Sequence, residues 1–80
     1  MADSLIRNRI RLLRFHHGEM TQQALATRIG VSRQTVNAIE AGKYSPSLEV
    51  AFRIALVFTT PLEEVFQFGP SPEPAHTNSF

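Results

Sequence analysis

The sequence predicts an all-α domain built from five short helices. Gly18, Gly30 and Gly42 each follow a stretch of helix-forming residues, as expected where a left-handed residue ends a helix. A chain of 80 residues has room for one hydrophobic core, and its lack of cysteine excludes a disulfide framework. We therefore expect one compact domain over residues 1–68, followed by a tail over residues 69–80.

The first helix is expected to run from about Ser4 to His17, with Asp3 or Ser4 as its N-cap. Arginines recur along it at helical spacing, which places them on a polar face. The opposite arc is expected to carry the apolar residues Leu5, Ile6, Ile10, Leu12 and Leu13.

Two further helices are predicted, and each is preceded by a residue whose hydroxyl can cap it. Thr21 precedes the second helix, which ends before Gly30, and Ser32 precedes the third. In the third helix Val36 and Ile39 have the spacing of a buried pair. The residues expected to face away from the core are Arg33, Gln34, Asn37, Ala38 and Ala41.

Ser47 caps the predicted fourth helix, which ends near Phe58, and from Leu48 to Phe58 only Glu49 and Arg53 are polar. A helix that is apolar almost all round is covered on more than one side. The core is expected to use Leu48, Ala51, Phe52, Ala55 and Phe58. Residues left for a second subunit are Val50, Leu56, Val57, Phe66 and Phe68, although burial of all of them within one chain is the alternative.

A short fifth helix is predicted after Thr60, because Pro61 and Glu63 suit its first and third positions. It is expected to run through about Phe66. From Gly69 the sequence GPSPEPAHTNSF has three prolines in alternation and little to bury, so we predict a flexible tail.

Charge is distributed unevenly along the chain. All eight Lys and Arg residues lie at or before Arg53, together with only four acidic residues, Asp3, Glu19, Glu40 and Glu49. This basic part could bind a polyanion, although solvated arginines on small helices are the alternative.

Other classes of site are poorly supported. His16 and His17 are sequence neighbours and point about 100° apart on a helix, so a shared metal is not expected. Glu63 and Glu64 fit the acidic start of a helix better than an acid/base pair. The apolar run Ile54–Phe58 is too short to span a membrane. We expect a cytoplasmic protein that is not an enzyme and uses no metal, cofactor or small-molecule effector.

The segment Gln22–Ala41 has the pattern of two helices joined by a three-residue turn. A bare structural hairpin would have no need for polar residues at the start of its second helix, so the pattern favours DNA reading. The residues expected to hold the two helices together are Leu25, Ala26, Ile29, Gly30, Val31, Val36 and Ile39.

From Ile6 to Phe68 the sequence resembles the Cro/C1-type helix-turn-helix regulators, also called the xenobiotic-response-element (XRE) family, in its short single-domain form. The matching text is IRLLR, TQQALATRIGVSRQTVNAIEAGKYSPSLEVAFRIALVF and LEEVFQF. The resemblance implies a five-helix, lambda-repressor-like DNA-binding domain. It also implies a dimer that binds a palindromic operator and acts as a repressor or sometimes as an activator.

The resemblance assigns roles to individual positions. Gln22 matches a residue that contacts phosphate and braces the recognition helix, and Lys43 matches a backbone contact. Arg14 and Glu40 match an ion pair between the first and third helices, although HHGEMTQ has one residue more than the usual spacing. The base-facing positions are matched by Arg33, Gln34, Asn37 and Ala38, where well-studied members have a longer polar residue in place of the alanine.

Groove chemistry agrees with these assignments. Arg33 can donate two hydrogen bonds to guanine, and Gln34 or Asn37 can pair with adenine. Ser32 and Thr35 are expected to help the helix starts receive phosphates. The alternative function is an interaction module, such as an antitoxin or a restriction-modification controller, that binds a partner protein through helices 4 and 5.

Overall fold

The structure is a computed structural model and describes residues 5–69. It contains the five predicted helices together with a two-stranded sheet that the sequence did not predict. The proposed tail and the N-caps proposed at Asp3 or Ser4 lie outside the described residues. In chain order the elements are β1 (Ile6–Asn8), α1 (Ile10–His16), α2 (Gln22–Ile29), α3 (Arg33–Glu40), α4 (Leu48–Phe58), α5 (Leu62–Val65) and β2 (Phe66–Phe68).

The three central helices begin at the predicted capping residues. The side chains of Thr21, Ser32 and Ser47 each accept a hydrogen bond from the backbone N–H three residues further on, at 2.9, 3.1 and 3.1 Å. Gly30 ends α2 in the left-handed conformation with φ of 80°, where a side chain would be strained. The predicted bounds of these helices are thus confirmed.

The predicted start of the first helix is wrong, because the chain at Ile6–Asn8 is a strand antiparallel to Phe66–Phe68. Asn8 explains the change. Its Oδ1 accepts from the N–H of Ile10 at 3.1 Å and its Nδ2 donates to the carbonyl of Ile39 at 2.9 Å. A side chain that forms hydrogen bonds with backbone groups competes with helix formation. The helix α1 therefore starts only at Ile10.

The predicted apolar arc of that helix is corrected at the same time. Ile10 is buried, but Leu5 is 61% exposed and Leu12 is 52% exposed. Ile6 lies in the strand and Leu5 precedes it, so neither belongs to the helix, and the helical spacing that grouped the five residues no longer applies.

The fifth helix is shorter than predicted. Thr60 does not cap it, because its hydroxyl donates to the carbonyl of Phe58 at 2.9 Å and so completes the end of α4. Pro61 is the N-cap residue instead. The helix ends at Val65, whose carbonyl accepts from the N–H of Arg9 at 2.9 Å, and Phe66 already belongs to β2.

The core lies between α2, α3 and α4, and is closed by residues of α1 and α5. Leu48 and Phe52 were predicted to be part of it, but they are 68% and 49% exposed. Within residues 5–69 no helix has the length and apolar character needed to cross a membrane. The connected core consists of Ile10, Leu25, Ala26, Ile29, Val36, Ile39, Ile54, Ala55, Phe58 and Val65.

Candidate nucleic-acid interface

Apolar packing fixes the angle between α2 and α3. Leu25, Ala26 and Ile29 of α2 are buried against Val36 and Ile39 of α3. The turn between them is held by one acceptor, since the N–H groups of Gly30 and Val31 both donate to the carbonyl of Ala26, at 2.9 and 3.0 Å. Val31 is half-buried against the same core.

The opposite face of α3 is open to solvent and polar. Arg33, Gln34 and Asn37 are exposed, while Ala38 is half-buried at the edge of this face. A helix that presents an arginine and two amides can form paired hydrogen bonds with base edges in the major groove. We call Arg33, Gln34, Asn37 and Ala38 the reading face.

Gln22, at the start of α2, connects members of this face. Its Nε2 donates to Asn37 Oδ1 and to Glu40 Oε1, both at 3.2 Å. Its Oε1 accepts from Nη1 of Arg33 at 3.3 Å. Two side chains of the reading face are therefore oriented by one residue of the preceding helix.

Arg14 and Glu40 form a bidentate ion pair, with Nε–Oε2 at 2.6 Å and Nη2–Oε1 at 3.1 Å. Both side chains are largely buried, at 15% and 9% exposure. Nη1 of Arg14 also donates to the carbonyl of Met20 at 2.7 Å. The extra residue between α1 and α2 is absorbed by two left-handed residues, Gly18 and Glu19, so the ion pair forms despite the longer connection.

Residues predicted to receive phosphate lie around the reading face. Ser32 and Thr35 are joined at the start of α3, where their hydroxyl oxygens are 2.9 Å apart. Lys43 follows α3 in an exposed loop, and its N–H donates to the carbonyl of Ala38 at 3.0 Å. Backbone N–H groups at the start of a helix and lysine side chains are both common phosphate contacts, and here they lie at opposite ends of α3.

Arg11 is a residue of this surface to which the sequence analysis gave no role. It lines a cavity of about 410 Å³ together with Gln22, Asn37 and Ala41. Its side chain is exposed and forms no hydrogen bond or ion pair with any residue between 5 and 69. The Arg14–Glu40 pair at the same cavity is neutral as a unit, so Arg11 supplies the cavity's net positive charge. Its helical spacing from Arg14 was the available signal.

His16 and His17 have local contacts of an ordinary kind. The ring of His17 lies edge-on to Phe58 with centroids 5.0 Å apart, and its Nδ1 is 2.9 Å from the carbonyl oxygen of Leu13. In the part of the chain that the structure describes, no three His, Asp or Glu residues are grouped so that they could hold a metal ion.

Comparison with known proteins identifies the same unit. A family model described as helix-turn-helix matches residues 10–65. An uncharacterized HTH-type transcriptional regulator of Methanocaldococcus jannaschii is 48% identical over 61 residues, which cover 76% of this chain and 91% of that protein. One from Archaeoglobus fulgidus is 48% identical over 63 residues, with 79% and 89% coverage. The regulator YgzD of Bacillus subtilis, also uncharacterized, is 43% identical over 61 residues, with 76% and 91% coverage.

Proposed function

This chain belongs to the Cro/C1-type helix-turn-helix family of DNA-binding transcriptional regulators, and from that premise we propose that it is a repressor that occupies a palindromic operator as a homodimer. In this proposal α3 enters the major groove and α4 pairs the two copies. Repression follows because an occupied operator is closed to other proteins.

The reading face is the observation that carries this proposal. Its polar side chains are exposed on one side of α3, while Val36 and Ile39 on the other side are buried. Gln22 orients Arg33 and Asn37 before any DNA is present. Groups that are ordered in advance lose less conformational entropy on binding.

Contacts with phosphate position the reading face without selecting sequence. The proposal assigns them to Gln22, Ser32, Thr35 and Lys43, and it adds Arg11. Arg11 lines the same cavity as Asn37 of the reading face. Since it has no partner within residues 5–69, it is available to a phosphate of the strand that borders the groove.

The pairing surface is assigned to the outer face of α4. Leu48, Phe52 and Leu56 recur every four residues and are 68%, 49% and 77% exposed. We call these three residues the α4 stripe. Of the sequence-based candidates, Leu56 and Phe68 are well exposed, whereas Val50, Val57 and Phe66 already pack partly against the core. A second copy would remove the stripe from water.

Selection of bound duplexes from a random DNA pool tests the proposal. The purified protein should enrich an inverted repeat whose half-site centres are about 10 base pairs apart, one turn of the double helix. Failure of the folded protein to enrich any sequence at moderate salt would contradict it.

The same stripe would serve the alternative function, in which a different protein covers helices 4 and 5. Sedimentation of the purified chain distinguishes the two. A dimer at micromolar concentration supports pairing of copies, whereas a monomer that does not dimerise on DNA would favour a partner protein.

A further inference from the structure

Arg53 of α4 reaches the turn between the two helices of the motif. Its Nη1 donates to the carbonyl of Ile29, the last residue of α2, at 3.2 Å. The same atom lies 3.2 Å from the place where a Cβ on Gly30 would stand. Its Nη2 pairs with the carboxylate of Glu49, one turn earlier on α4. The guanidinium therefore covers the point at which the chain leaves α2 for α3.

This contact stabilises a helix end that needs a partner. The last carbonyl groups of a helix find no N–H donor within the helix itself. A cation beside them is favourable, because this end of the helix dipole is negative. Arg53 gives the carbonyl of Ile29 a donor and places positive charge at the negative end of α2. The pair with Glu49 is open to solvent, with the two side chains 50% and 73% exposed, so it contributes little to the position of the guanidinium.

The contact joins the two parts of the molecule that the proposed function separates. The reading helix α3 packs on α2, and α2 packs on α4, which carries the α4 stripe. The position of α3 relative to the stripe therefore depends on how α2 is seated on α4. Arg53 provides a polar contact between α4 and α2, and this contact lies next to the turn into α3.

We propose that Arg53 is a positioning residue for DNA reading, which fixes the α2 end and its turn on α4 and so sets the half-site spacing that a pair of copies prefers. The inference rests on the proposed function, because spacing has meaning only for two copies on an inverted repeat. Arg53 itself need not touch DNA in this role.

The test compares Arg53→Met with the matched control Glu49→Gln. Methionine keeps an unbranched apolar stem and removes the donors, whereas Glu49→Gln leaves the contact with Ile29 in place. Dissociation constants are measured on the selected inverted repeat and on repeats with one base pair added or removed at the centre. Loss of the donors should reduce the preference for the selected spacing about three- to fivefold in Arg53→Met. The control should keep the preference within about a factor of two of wild type.

Amide hydrogen exchange in the free protein gives a second readout that does not depend on DNA. The N–H groups of Gly30 and Val31 should exchange faster in Arg53→Met, while the amides of the α4 core keep their relative protection. An unchanged spacing preference in folded Arg53→Met, or unchanged exchange at the turn, would overturn the role of Arg53. A wild-type protein without any spacing preference would instead contradict the proposed function, and the exchange measurement would still decide whether Arg53 holds the turn.

Discussion

The outer faces of α3 and α4 are both exposed, but they differ in chemistry and in order. The reading face of α3 consists of polar groups, two of which are already bonded to Gln22. The α4 stripe consists of three large apolar side chains that have no polar group to direct a partner. A face with fixed donors and acceptors suits a ligand with a hydrogen-bond pattern, whereas an apolar face suits a second surface of complementary shape. This difference supports the proposal that α3 reads DNA and that α4 pairs two copies.

The largest expected effect comes from removing the support beneath the reading face. Arg14→Ala would leave the largely buried carboxylate of Glu40 without its partner, which should lower the free energy of unfolding by about 3 kcal/mol. Urea unfolding measures this loss. The double variant Arg14→Met with Glu40→Met should recover much of the stability, and a single variant as stable as wild type would show that the ion pair does not support α3.

Pairing should fail when the α4 stripe receives a charge. Leu56 is 77% exposed, so Leu56→Lys should leave the fold intact while it weakens self-association by about 2 kcal/mol or more. Sedimentation should then show monomers at concentrations where wild type is a dimer. Thr27→Lys, on the exposed side of α2, is the matched control and should remain dimeric. Equal self-association of the two variants would show that the α4 stripe does not pair the two copies.

Reading should become less selective when the reading face loses its arginine. Arg33→Ala should reduce discrimination at one base pair of each half-site by about 1 to 3 kcal/mol, because a bidentate contact with guanine is lost. Competition binding with duplexes that vary at each position measures this change. Wild-type selectivity in Arg33→Ala would contradict the assignment.

Phosphate contacts should give the smallest and least selective effect. Lys43→Ala and Arg11→Ala should each weaken binding to all sequences alike and reduce the slope of log K against log salt by about one. Titrations at several salt concentrations, on operator and on unrelated DNA, measure both quantities. If either variant changed selectivity while keeping the wild-type slope, that residue would be a base contact instead.

The sequence predicted the central helices well because their signals are local. A capping hydroxyl at Thr21, Ser32 or Ser47 bonds the backbone three residues on, and Gly30 adopts the conformation that its position requires. Such signals act within one turn of the chain. Boundaries that depend on them are therefore readable from the sequence.

The ends of the domain were mispredicted because their structure depends on distant partners. Residues 6–8 form a strand because they pair with residues 66–68. The side chain of Asn8 is engaged by Ile39, far along the chain, and Thr60 is used by the preceding helix. The exposure of Leu48 and Phe52 likewise reflects how α4 is seated, which an almost uniformly apolar helix does not specify.

The interface was only partly predictable for the same reason. Helical periodicity placed Arg33, Gln34 and Asn37 on one face of α3. Other features depend on how separate elements pack together. They are the contact between Gln22 and Arg33, the cavity lined by Arg11, and the contact of Arg53 with Ile29. These features required the packing of α1, α2 and α4.

The most direct test of separate reading and pairing surfaces is duplex selection from one random pool by wild type, Arg33→Ala and Leu56→Lys in parallel. If the two surfaces are separate, Arg33→Ala should still enrich an inverted repeat, with one relaxed base pair in each half. Leu56→Lys should enrich the wild-type half-site without its repeat. Loss of the repeat in Arg33→Ala, or an intact repeat in Leu56→Lys, would contradict the assignment of reading to α3 and pairing to α4.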